Sequence, residues 1–225
     1  MVKFVETELQ TIKQSVSEMW ELVRKQFDHA YDALMTGDKN LAGVVVGREK
    51  RVNAYELKID SDIEDFIALY NPVAIDLRFS LAMLNICNNL ERLGDYAEGI
   101  ARFVLRNDVD EKTRGIIREM RLPQMYELVK GMYECVYKAL RERDIDAAKS
   151  VLGKDDEIDA LNHSSLDRLT DYATAHPESV RLCLEISALF RKLERAGDHI
   201  NNLAEQTVYY IDAEVLKHRT NKEAL

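Results

Sequence analysis

Apolar positions recur every three or four residues from Phe4 to about Thr36, at Leu9, Ile12, Val16, Met19, Trp20, Val23, Phe27, Ala30, Tyr31 and Leu34. That spacing is one stripe of an α-helix. Gly37 and Asp38 interrupt it, the glycine as a C-terminal cap and the aspartate as the next N-cap. A second helix is predicted from about Lys39 to Tyr70, stopped by Asn71-Pro72, because the residue before a proline is driven out of the helical region. A third is predicted from about Val73 to Arg106. Its stripe is Met83, Ile86, Leu90, Leu93, Ala97, Ile100 and Val104, a seam for close helix packing. The polar run from Asn107 to Lys112 is the best linker.

Beyond the linker the pattern restarts. Met125-Tyr-Glu-Leu-Val129 echoes Met19-Trp-Glu-Leu-Val23 at an offset of 106. Pro72 meets Pro177 at 105, and Glu91, Gly94, Asp95 and Ala101 meet Glu194, Gly197, Asp198 and Ala204 at 103. A register that slips by so little across a whole half is internal duplication. The halves are 1–109 and 110–225, each with three long helices and short connections. No segment alternates with period two, so no sheet is expected. The predicted fold is all-α: two tandem three-helix bundles, six long antiparallel helices in total. Helices of ~30 residues would be ~45 Å long, so an elongated molecule is expected.

Composition narrows the function. With 31 basic and 40 acidic residues the net charge is −9, which argues against a nucleic-acid surface. The short basic run Arg48, Lys50, Arg51 is a solvated helix face. Cys87, Cys135 and Cys183 are odd in number, well separated and set in helical patterns. They read as reduced, buried thiols rather than a disulfide framework. The opening MVKFVETELQ has no apolar signal-peptide core, and no apolar run approaches the ~20 residues that span a bilayer. A cytoplasmic protein without membrane insertion is expected.

The duplicated helices carry the candidate chemistry. In Arg191 to Tyr210 the acids and amide Glu194, Asp198 and Asn202 are spaced four apart, with Gly197 among them. With Ile186, Leu189, Leu193, Ala196, Ile200 and Leu203 on the seam, these carboxylates point toward solvent or a neighbouring groove. Residues four apart lie about 5–6 Å from each other, so the acids repel unless a cation or arginine intervenes. Arg92 and Arg195, each beside a motif glutamate, are candidates. One helix earlier lie Asp155 and Asp159, which antiparallel packing would bring to Glu194, Asp198 and Asn202. The first-half set is Glu49, Asn53, Glu91 and Asp95, with Gly99 where the second half has Asn202. It has one carboxylate fewer and lacks the amide, so it is expected to bind metal more weakly, with Glu98 compensating in part. Such oxygen-rich sets suit magnesium, manganese, calcium or iron rather than a structural zinc held by Cys and His. Glycine within a helix is unfavourable by about 0.5–1 kcal/mol relative to alanine. Its recurrence at Gly94 and Gly197 implies close approach of a neighbouring helix or a ligand.

Enzymatic signatures are missing from the sequence. None of His29, His163, His176, His199 and His218 has Glu three residues before it, as a di-iron bundle requires. There is neither a phosphate loop nor a His-Glu-x-x-His. His199 reads as a packing or hydrogen-bonding residue. The acidity and the lack of an anion-binding loop speak against direct phosphate sensing.

The sequence resembles the PhoU family of phosphate-uptake regulators. The resemblance is carried by Asn-Pro-Val-Ala-Ile-Asp-Leu-Arg at 71–78, Leu-Glu-Arg-Leu-Gly-Asp at 90–95 and Leu-Glu-Arg-Ala-Gly-Asp-His-Ile-Asn-Asn-Leu-Ala-Glu at 193–205, with Val215-Leu-Lys-His218 near the end. It spans nearly the whole chain and implies two tandem three-helix bundles. It also implies metal on Glu91, Asp95, Glu194, Asp198, Asn202, Asp155 and Asp159, with Glu49 completing the first set. The ion is open among iron, zinc, manganese and magnesium. Asn53 and Gly99 depart from the family pattern, which usually has an acid and an asparagine there. The implied role is a non-enzymatic cytoplasmic adaptor, commonly a homodimer. It would restrain phosphate import and phosphate-starvation signalling through a transporter ATPase subunit and a membrane sensor histidine kinase. The alternative is a metal-dependent enzyme or metal store using the same carboxylates.

Overall fold

A computed structural model describes residues 2–216, with side chains from Phe4. The first half forms three unbroken helices, α1 (Val2–Thr36), α2 (Lys39–Tyr70) and α3 (Ala74–Arg106). Their ends follow local chemistry. Gly37 takes a positive φ of 75° after α1. Asp38 caps α2, its Oδ1 accepting from the backbone N–H of Asn40 at 2.8 Å and of Leu41 at 3.0 Å. Asn71 closes α2 in the left-handed region at φ 46°, ahead of Pro72. The seven residues of the α3 stripe are all buried.

The second half departs from three long helices. It is built from α4 (Glu111–Glu119), α5 (Leu122–Glu142), α6 (Ile145–Lys149), α7 (Asp155–Ala175), a 3-10 turn (Pro177–Ser179) and α8 (Val180–Asp212). The expected fourth helix breaks at Arg121, which takes φ 67° just before Leu122-Pro123 opens α5. Proline lacks the N–H that a continuous helix would need there, so a new helix starts with proline in its first turn. The fifth breaks between Lys149 and Asp155, where Gly153 takes φ 91°. Among the described residues no strand forms and no helix is long and apolar enough to cross a membrane. Of the carboxy-terminal family motif, Lys217 and His218 lie outside the described residues.

The halves share one apolar core. α3 and α8 run antiparallel through its centre: Arg78 Nε donates to the Tyr210 carbonyl, and Asn202 Nδ2 donates to Asn89 Oδ1. Alongside, α1 meets α5 through aromatic rings. Trp20 stacks on Tyr137 with centroids 5.2 Å apart, and the Tyr133 hydroxyl donates to the Trp20 carbonyl at 2.7 Å. Cys87 and Cys183 are buried free thiols, as expected, whereas Cys135 is only half-buried. Its Sγ lies 3.6 Å from the Ala147 carbonyl.

Not every helical glycine is there for packing. Gly131 on α5 is exposed, and a Cβ built on it would meet nothing within 4 Å. Gly131→Ala is therefore expected to stabilise the protein by about 0.5–1 kcal/mol, raising the thermal midpoint by roughly 2–4 °C per kcal/mol. A melt lower than that of the wild type would contradict it.

Candidate metal centre

Two glycines set the distance at which each half's acids face one another. A Cβ on Gly94 of α3 would fall 3.2 Å from Val52 Cγ1 and 3.3 Å from Glu49 Oε2, both on α2. A Cβ on Gly197 of α8 would fall 3.0 Å from Cδ1 of Ile158 on α7. The recurrent glycine thus admits the neighbouring helix. In the first half that approach delivers Glu49 to the α3 acids.

Glu49, Glu91 and Asp95 each place a carboxylate oxygen so that all three lie within 4.8 Å of one another. Glu49 is the deepest, 7 % exposed. Gln26 of α1, fully buried, donates through Nε2 to Glu49 Oε2 at 3.1 Å. The other oxygen, Oε1, is buried without a hydrogen-bond partner, as is Gln26 Oε1. Burial chiefly, then Asp95, Glu98 and Glu91, push the Glu49 carboxyl up to about 7 against the pull of the Gln26 amide. Glu91 is raised by burial and by Asp95, and opposed by Arg92. Arg92 takes the balancing position expected of it, with Nε 3.5 Å from Glu91 Oε2 and Nη1 3.4 Å from Asp95 Oδ2. Glu98 is bound to Arg102 at 2.7 Å.

The second half is looser. Asp198 is pushed up to about 6, first because protein atoms strip water from one side of an otherwise exposed residue, then by Glu194, Asp159 and Asp155. Arg195 opposes these. The four acids are therefore neighbours. Yet among the described residues only the first-half trio gathers three such ligand atoms within 4.8 Å. The first-half set, with one carboxylate fewer, is thus the one whose ligand atoms are gathered most closely. Asp155 opens α7 directly after the non-helical 150–154, whereas Glu49 lies inside the continuous α2. Asn202 donates through Nδ2 to Asn89 Oδ1, an oxygen that also lies 2.8 Å from His199 Nδ1. His199 is thus a hydrogen-bonding residue of the α3–α8 interface. At the matching place in the first half, Lys192 lies over Gly99, its Nζ 2.7 Å from where a Cβ would sit.

Two residues extend the predicted set. Glu56, two turns after Glu49 on the same face of α2, is raised by burial and by Asp60 and Asp95, so it adjoins the cluster. Gln26 is the other. It falls between Val23, Phe27 and Ala30 on the buried face of α1, and a polar side chain at such a position is its only signal in the sequence. The donor set is all oxygen, with one deep carboxylate oxygen lacking any partner, so the residues present fit a hard divalent cation.

The comparisons agree with this architecture. The PhoU domain model matches residues 16–104 and again 122–207, one match per repeat. A phosphate-specific transport system accessory protein PhoU homolog of Aquifex aeolicus is 32% identical over 96% of each chain. The homolog of Clostridium acetobutylicum is 30% identical over 93% of this chain and 94% of its own. The crystal structure of PhoU from Pseudomonas aeruginosa superposes with a TM-score of 0.86 at 28% identity, covering 93% of this chain and 99% of that one. The phosphate transport system regulatory protein PhoU from Streptococcus pneumoniae gives 0.83 at 26% identity, covering 94% and 99%. With its two repeats both matched and their acidic helices packed as described, the chain belongs to the PhoU domain family.

Proposed function

We propose that the protein is a regulator rather than an enzyme. In this reading it restrains high-affinity phosphate uptake and phosphate-starvation signalling by contacting the ATPase subunit of a phosphate transporter and a sensor histidine kinase. The observation that carries the reading is the match of both repeats, at nearly full length, to proteins named as accessory to phosphate-specific transport. The protein is accordingly an accessory protein of phosphate transport. It acts as a homodimer on the cytoplasmic side of the membrane, recruited there through its partners.

The acidic clusters fit this role. Glu49, Glu91 and Asp95 would hold a first cation, and Asp155, Asp159, Glu194 and Asp198 a second. Iron, manganese and magnesium suit the oxygen donors best, and zinc less well. Bound there, a cation supplies positive charge that offsets the repulsion among the carboxylates. Asp159, Asp198 and Asn202 are exposed, so the second cluster lies where a partner protein can reach it. The test is binding of the purified protein to the transporter ATPase subunit and to the kinase, with and without a chelator. Saturable binding that weakens on chelation is expected. Failure to bind either partner in the presence of metal would end the reading.

A further inference from the structure

Where the two repeats meet, a cavity of about 230 Å³ opens between α1, α3, α5 and α8. Trp20, Phe79, Met83 and Leu140 supply an apolar lining, and Lys13, Arg141 and Arg143 supply charge. No carboxylate lines it, in a protein whose net charge is −9. The three cations rest on ring faces. Lys13 Nζ lies 5.3 Å from the Phe79 centroid, the Arg141 guanidinium 5.5 Å from Tyr137, and that of Arg143 5.3 Å from Tyr210. Arg143 also donates to the Tyr210 hydroxyl. Among the described residues none of the three has a carboxylate within 4.0 Å, although thirteen other pairs do form. A ring face satisfies a cation only weakly and leaves most of its N–H donors free. Trp20 lies at the back of this lining, fully buried, with no acceptor for its indole Nε1–H.

We propose that this cavity binds a small organic phosphate monoester. Its dianion lies among Lys13, Arg141 and Arg143, and its carbon part rests against Tyr137 and Leu140, the partly exposed apolar groups of the lining. A phosphate monoester carries about −1.5 to −2 charges at neutral pH and offers several acceptor oxygens. That matches converging cations, and arginine forks in particular. The volume lies below the ~300–1,000 Å³ of drug-sized sites, which limits the ligand to a small one. Free phosphate would leave the apolar lining empty. The sequence hides this site because Lys13, Arg141 and Arg143 come from two different repeats and form no local anion-binding loop. The site shares no residue with either acidic cluster and does not depend on the regulator reading.

Trp20 is the chain's one tryptophan, so tryptophan emission comes from the residue at the back of this lining, stacked on Tyr137. Titrating the full-length protein with phenyl phosphate is expected to change that emission saturably, with matching heat by calorimetry. Phenol is expected to have no effect, and inorganic phosphate to bind at least tenfold more weakly. The double variant Lys13→Gln/Arg141→Gln, at two exposed positions that leave the Arg143–Tyr210 bond intact, is expected to weaken phenyl phosphate at least tenfold at unchanged helicity. Silence by both methods overturns the proposal, as does unchanged affinity in the folded double variant. Phenol binding as tightly as phenyl phosphate overturns the anion site. Inorganic phosphate binding as tightly overturns the organic ligand.

Discussion

Replacing Glu49 by glutamine is expected to make the metal-free protein more stable at pH 8, and to remove most of its stabilisation by divalent cations. The reason is the position of this carboxyl. Its pKa rises from 4.5 to about 7, through burial first and then through Asp95, Glu98 and Glu91. The folded state therefore holds the Glu49 proton more tightly than the unfolded chain does. Below pH 4.5 both states are protonated and the group has no effect. From 4.5 to about 7 stability falls as pH rises, and above 7 the penalty is fully present. At about 1.4 kcal/mol per pH unit, the penalty is on the order of 1–3 kcal/mol. Glutamine is nearly isosteric and retains an oxygen that can accept from Gln26 Nε2, so the variant should escape this penalty without leaving a hole. A divalent cation reverses the ranking, because it binds the folded wild type and stabilises it by about 2.7 kcal/mol at a hundredfold excess over its Kd. Thermal melts from pH 4.5 to 8, with chelator and with manganese, should thus cross: the variant is the more stable without metal, the wild type with it. Parallel pH profiles in the two proteins would remove Glu49 as the titrating group. An equal manganese response would remove it as a ligand.

The first half was almost fully legible in the sequence, because its helix ends are encoded locally. Gly37-Asp38 and Asn71-Pro72 carry cap and stop within two residues each, and α1 and α2 end where those pairs dictate. The second half was less so. The repeat placed Met125 to Val129 in the middle of a long helix, and that register masked Pro123 as a start signal. Gly153 breaks its helix while Gly47, at the same place in the repeat, stays inside α2. Nothing in the glycine itself distinguishes the two, since a Cβ built on either would meet nothing within 4 Å. At the site, helical spacing and the antiparallel neighbour brought Glu49 to Glu91 and Asp95. Counting carboxylates does not report how closely their oxygens gather, and here Glu49 lies inside a continuous helix whereas Asp155 starts one. Gln26 reaches Glu49 across 23 residues of sequence, a contact that no motif records.

Gly94→Leu is expected to destabilise the first bundle by about 3 kcal/mol. The built Cβ already lies 3.2 Å from Val52 Cγ1 and 3.3 Å from Glu49 Oε2, and Val52 is fully buried. Leucine adds three carbons beyond that point with no void to receive them, and overpacking of this kind costs about 1–3 kcal/mol or more. The helix-propensity gain over glycine, about 0.8–1 kcal/mol, offsets only part of it. α2 and α3 must part, which draws Glu49 away from Glu91 and Asp95, so the stabilisation by manganese should vanish along with the stability. Gly99→Ala is the control on the same helix. Its Cβ would lie closer still to a neighbour, 2.7 Å, but that neighbour is the end of the Lys192 side chain. A lysine ammonium can swing aside, so this variant should melt within about 1 kcal/mol of wild type despite the shorter nominal distance. The two melts separate the nature of the obstacle from its distance. If Gly94→Leu melted like wild type, or Gly99→Ala fell as far as Gly94→Leu, the glycine would not be what sets the spacing of α2 and α3 at the acidic cluster.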